Sequence, residues 1–126
     1  MSIQDSAGNV AGMTIYHVAR RLDWDAAQAS GQYTISSRES TLEQEGFIHC
    51  STPAQVHRVA ERVWKGTNSE LVVLEMDEDA IATAGGEVRF EGSSTELYPH
   101  IYGAILPLYV TAVLPARFDD SGAFSF

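Results

Sequence analysis

Residues 46–56 read GFIHCSTPAQV. The first half has the apolar and β-branched character of a strand, and the second half has the chemistry of a helix start. Thr52 can accept from first-turn N–H groups, Pro53 gives up an N–H that would be orphaned anyway, and Gln55 can reach back as in a capping box. The apolar stripe Val56, Val59, Ala60 and Val63 continues the helix, and Gly66 ends it. A strand carrying a histidine thus runs straight into a helix. Two more histidines sit in similar surroundings, in TIYHVA at 14–19 and ELYPHIYG at 96–103. Three imidazoles in apolar, strand-like segments point to one shared polar cleft, because buried ring nitrogens need partners.

Working outward, TIYHVA is the first strand and DWDAAQASG (23–31) a short helix with Asp23 as its cap and Gly31 as its stop. The segment 34–45 has no sustained period and reads as a long surface loop, the natural cover for a ligand site. ELVVLEM (70–76) is continuously apolar, as a central strand is. Residues 77–82 suit a single helical turn, and Gly85–Gly86 a turn. EVRFE (87–91), HIYG (100–103) and YVTAVL (109–114) complete the strands. Strands outnumber helices and both main helices fall in the first half. The reading is an α+β fold, a mixed or split antiparallel sheet with two main helices. Residues 1–13 read as a flexible leader, 14–115 as a single α+β domain and 116–126 as a C-terminal tail.

A chain of 126 residues is long enough for one domain with its own core. Seventeen acidic against eight basic residues argue against non-specific nucleic acid binding, which needs clustered Lys and Arg. A local basic pocket for a small phosphate-bearing ligand stays compatible with that charge. The longest apolar run, at 101–115, is short and interrupted by Pro107, so no membrane span is expected. One cysteine and no signal pattern in the first dozen residues suggest a cytoplasmic protein, a monomer or weak homodimer.

The two-residue period of a strand puts Phe47, His49 and Ser51 on one face, with Ile48 and Cys50 on the other. Ile15 shares a face with His17. Neighbouring strands would bring His17 and His49 side by side, facing the cleft. Tyr98, His100 and Tyr102 share parity, and the tyrosines offer flat faces for a base or nicotinamide ring. Glu96, just before Tyr-Pro-His, is the acidic residue best placed beside the cleft, and Glu91 the alternative. His57 reads as solvent-facing, and Cys50 as a small buried hydrophobe pointing away from His49. The spacings match no standard zinc pattern, and neither a Gly-rich dinucleotide fingerprint nor a Walker A loop occurs.

IYHVA, DWDAA, EGFIHCSTPAQV, VWKG, LVVLEMD, VRFE and LYPHIYGAI, in this order over roughly 14–115, resemble a family of small proteins called domain of unknown function family 952. The resemblance implies a fold similar to that of ADP-ribosyltransferases and RNA 2'-phosphotransferases, which hold NAD in a cleft between two small sheets. By that likeness, Tyr16–His17 looks like the early-strand element that bonds an NAD ribose, although Val18–Ala19 replace its Gly-Thr. Ile48–Ser51 looks like the second element, and Glu96, or Glu91, the late-strand glutamate. The resemblance implies catalytic roles for Glu96 and His49 and cofactor-binding roles for His17, Ser51, Tyr98, His100 and Tyr102. NAD is then the candidate cofactor and a small nucleotide-like ligand the expected partner, with open amides at 53–55 as a phosphate contact. An ADP-ribosyl- or phosphotransferase-like activity would follow, or a non-enzymatic interaction module that retains the fold.

Overall fold

The computed structural model describes residues 12–126, so the leader expected at 1–13 lies almost wholly outside the described residues. In chain order the elements are β1 (Thr14–Arg20), α1 (Arg21–Ser30), β2 (Ile35–Ser37), β3 (Ser40–Thr41), α2 (Leu42–Glu45), β4 (Ile48–His49) and α3 (Val56–Val63). Then come β5 (Leu71–Asp77), α4 (Glu78–Thr83), β6 (Val88–Gly92), β7 (Leu97–Ile101), a short 3-10 turn (Pro107–Tyr109), β8 (Val110–Phe118) and β9 (Phe124–Ser125). This is an α+β fold with a split sheet. One sheet has the order β1-β5-β8-β9, a second β4-β7-β6, and β2-β3 form a hairpin. Each of these strand pairs is antiparallel.

The continuous apolar run of β5 is explained by its place inside the larger sheet, covered on both faces. Val72, Leu74 and Met76 pack with Ile15, Trp24, Ile48 and Ile101. Val73 and Leu71 face the other way, toward Val56, Ala60, Trp64 and Phe124. The larger sheet therefore lies between α3 on one side, where Phe124 of its own last strand also packs, and α1 with the smaller sheet on the other. The tail is part of the body: Phe124 is buried, and Phe126 packs edge-on to Tyr16.

Local details depart from the sequence reading for identifiable reasons. Helix α1 begins two residues early, directly from β1, and Arg20 at its cap makes no side-chain cap bond. Gly31 does end it, at φ 90, a left-handed conformation that costs glycine little. The segment 34–45 is structured rather than an open loop. Thr41 and Gln44 form a reciprocal capping box around the single turn of α2. At Thr52 only half of the expected box forms: the Gln55 side chain accepts from the Thr52 N–H at 3.0 Å, and the regular helix starts at Val56. Pro99 lies in the central strand of the smaller sheet, and its carbonyl accepts from the Cys50 N–H at 2.9 Å.

Leu74 is fully buried at the centre of β5, whereas Leu108 is 69% exposed. Leu74→Ala is expected to destabilise the fold by about 2–5 kcal/mol and Leu108→Ala by less than about 0.5 kcal/mol in urea unfolding. Equal costs would mean that the sheet centre is not the main core.

Candidate functional site

The strand β1 is an edge of the larger sheet and β4 an edge of the smaller one. They meet at a single bridge, where Tyr16 and Ser51 exchange both backbone hydrogen bonds at 2.8 Å. Beyond that bridge the two edges part, and a cleft of about 300 Å³ opens between them. Its wall takes His17 from β1, Ser36 and Ser37 from β2, and His49 to Ser51 from β4 and its continuation. Helix α3 and its end add Arg62 and Trp64, while β6 and β7 add Glu91, Tyr98 and His100.

His17 is almost completely buried. Its Nδ1 lies 2.6 Å from the His49 carbonyl oxygen, which can only accept, so Nδ1 carries the hydrogen. Nε2 is then free to accept from the Tyr33 hydroxyl at 2.9 Å. Burial pushes the His17 pKa down to about 4, partly offset by the His49 carbonyl bond and reinforced by the His49 ring. The imidazole is neutral at pH 7, with both nitrogens committed inside the protein. Tyr33 is held neutral too, its pKa raised first by burial and then by the charge of Asp23.

His17 and His49 both line the cleft, but the ring that meets His49 is that of His100. Register places His49 directly across from His100, and the rings meet edge to face at 5.2 Å. Phe47, on the same face as His49, stacks on His100 with ring centres 4.0 Å apart. The His49 pKa is lowered, chiefly by burial and then by His100, with Glu45 acting the other way.

Glu91 is the carboxylate in the cleft wall. Pairing of Arg89 with His100 and of Glu91 with Tyr98 puts Glu91 on the diagonal from His100. The His100 Nδ1–H donates to Glu91 Oε1 at 2.8 Å, and the Tyr102 hydroxyl donates to the same oxygen at 2.6 Å. Those bonds, Tyr102 first, hold the Glu91 carboxyl below its usual range. Glu96 instead belongs to the turn before β7, where Arg58 and Gln55 of the α3 region engage it. Although burial raises its pKa, bonds from Tyr98, Gln55 and Arg58 leave it lowered. It does not line the cleft, and Tyr102 contributes only through Glu91.

Several participants were not singled out by the sequence reading. Tyr33 had no pattern to mark it. Arg62 lay at a helical position whose neighbours face solvent. Gly92 is required by close approach: a Cβ there would lie 2.3 Å from the Glu96 carbonyl oxygen. The amides at 53–55 supply no phosphate cradle, since Gln55 N–H donates to Thr52 and none of these residues lines the cleft. Burial drives the Cys50 thiol far above its usual pKa, which removes it as a nucleophile. Among the described residues no group of three or more His, Cys, Asp or Glu is arranged to hold a metal ion. No helix among them is long and apolar enough to cross a membrane.

Residues 18–116 match the profile of the family described as protein of unknown function, DUF952. The chain belongs to this family. It is similar to CC0527 from Caulobacter crescentus, whose crystal structure superposes with a TM-score of 0.76 at 28% identity, covering 90% of this chain and 94% of that one. A double-mutant crystal structure of CC0527 gives the same values. Its solution NMR structure gives a TM-score of 0.69 at 28% identity, over 87% and 90% of the two chains. No functionally curated protein matches the chain. This DUF952 chain thus shares its fold across nearly its whole length with CC0527.

His17 makes acid stability a direct reporter of the site. The ring binds fewer protons folded than unfolded between pH 6.5 and about 4. Stability from this group is therefore full above pH 6.5 and falls as pH drops, by roughly 3 kcal/mol in total. His17→Gln is expected to flatten this part of the pH dependence in urea unfolding while lowering stability at pH 7. An unchanged slope between pH 6.5 and 4 would show that another group carries it.

Proposed function

We propose that the cleft binds one small nucleotide-like ligand, and that the fold is a member of the ADP-ribosylation kind, with NAD as the leading candidate. The observation that carries this reading is the convergence of His49, His100, Ser51 and Arg62 on one cleft between two small antiparallel sheets. Ser51 and the two rings offer donors and acceptors to sugar hydroxyls, and Tyr98 offers a flat face to a base. Arg62 makes no ion pair among the described residues, which leaves its guanidinium for a phosphate. His17 serves as a buried support, because both its nitrogens are already bonded.

A volume of about 300 Å³ stands at the lower end of ligand clefts. It suits a mononucleotide or one half of a dinucleotide. In NAD the nicotinamide and its ribose would occupy the cleft and the adenosine half would lie outside. Bound there, NAD would supply an activated glycosidic bond, which is what an ADP-ribosyl- or phosphotransferase-like enzyme uses. Of the two glutamates, Glu91 stands where a carboxylate would face that ligand. Glu96 keeps the role of holding α3 to β7 through Arg58 and Gln55.

The second reading, a non-enzymatic interaction module, draws on one observation. Val18 and Ala19 stand where the transferases of this fold have Gly-Thr, so the backbone approach that glycine permits is missing. Calorimetry with NAD, ADP-ribose, AMP, adenosine and nicotinamide separates the two. The ligand reading expects saturable heat with at least one nucleotide. Arg62→Gln should then weaken AMP or NAD by roughly tenfold or more while leaving adenosine or nicotinamide unaffected. No heat from any of the five at millimolar concentration would favour the interaction module.

A further inference from the structure

The arrangement around His100 goes beyond what binding requires. Its side chain is only 12% exposed, and that exposure is in the cleft wall. Phe47 covers one face of the ring, and His49 meets it edge to face. Because ionised Glu91 can only accept, the ring must hold its hydrogen on Nδ1. When the ring is neutral, Nε2 is therefore a bare acceptor in a fixed orientation. Tyr102 fixes Glu91 in turn, and Arg89 lies over the Tyr102 ring at 4.2 Å while pairing with Glu87. An imidazole oriented by a carboxylate that is itself oriented is the arrangement that makes a proton acceptor effective.

We propose that His100 is the general base of the cleft, that Glu91 is its positioning residue and that Tyr102 fixes Glu91. This rests on the cleft being a ligand site, not on the ligand being a nucleotide. A water molecule or ligand hydroxyl gives its proton to His100 Nε2 while its oxygen bonds to an electrophilic carbon or phosphorus atom. The O–H bond breaks, an N–H bond forms, and the leaving group departs with its bonding pair. The positive charge gained by the ring lies beside Glu91, and the proton then passes to solvent. His49 has a different task, since its Nε2 stands 3.5 Å from Glu45 and lacks a comparable short carboxylate bond.

The probe is p-nitrophenyl acetate, and slower hydrolysis in heavy water separates a base acting on water from an imidazole attacking the ester itself. Nitrophenolate release is followed from pH 5 to 9 with the full chain and with H100Q, E91Q, E91D, H49Q and H57Q. Thermal melts establish that each variant is folded. H100Q should lose the protein-dependent rate by roughly 100-fold or more. E91Q should lose about tenfold, because the ring is then held without its carboxylate partner. E91D should recover part of the rate, and H57Q should stay within about twofold of the parent, as expected for a surface change. Should H100Q unfold, the loss in E91Q and its partial rescue in E91D carry the test. The proposal is overturned if the parent does no better than free imidazole, if H49Q abolishes the rate and H100Q does not, or if E91Q keeps the parent's rate. His100-dependent hydrolysis without nucleotide binding would overturn the ligand class alone.

Discussion

The cleft depends on one buried imidazole. His17 ties the edge of the larger sheet to the smaller one through the His49 carbonyl, and reaches Tyr33 with its other nitrogen. Among the described residues the two sheet edges share only one backbone bridge, Tyr16 with Ser51. The side-chain bond next to it therefore does work that a continued ladder would otherwise do. The carbonyl bond survives in either state of the ring. The Tyr33 bond as it stands needs the neutral one, because an Nε2–H would face a hydroxyl that must then turn to accept it. Burial supplies that condition by disfavouring the charged form. The same feature that joins the sheets lets them diverge immediately beyond the join.

From that divergence follows the division of labour in the site. Both faces of the larger sheet are sealed by apolar packing, so polar side chains gather where the sheets separate. The smaller sheet delivers them by register. His49 faces His100 across one pair of strands, and Glu91 reaches His100 on the diagonal of the other. Phe47 fills the space over His100, which keeps the ring from turning. Helix α3 contributes differently. Arg58 is spent on Glu96, one end of a clamp between α3 and β7, while Arg62, one turn later, is left at the cleft.

Much of this was legible because short-range rules fixed it. Strand period put Phe47 and His49 together, and Tyr98, His100 and Tyr102 together, and the rings of Phe47, His49, His100 and Tyr102 do meet. The Thr41-Leu-Glu-Gln44 capping box was also present in the sequence, but its single helical turn is too short to show a hydrophobic period. The choice between Glu91 and Glu96 was not legible. Both are acidic residues near a strand end, and proximity to the Tyr-Pro-His run favoured Glu96. Which one reaches the cleft depends on the β6–β7 register and on Arg58, a residue 38 positions away from Glu96.

The sequence by itself determined the α+β class, the central place of β5, the helix following Ser51 and the family. These rest on local period, turn chemistry and motif order, which are properties of neighbouring residues. Tertiary structure alone decided which histidines meet. His17 and His49 both line the cleft, yet one ring has its two nitrogens tied to the His49 carbonyl and Tyr33 while the other meets His100. Parity says which way a side chain points from its own strand. It does not say which strand lies opposite, and in this fold the pairing of β4 with β7, distant in sequence, is what turns three scattered histidines into one site.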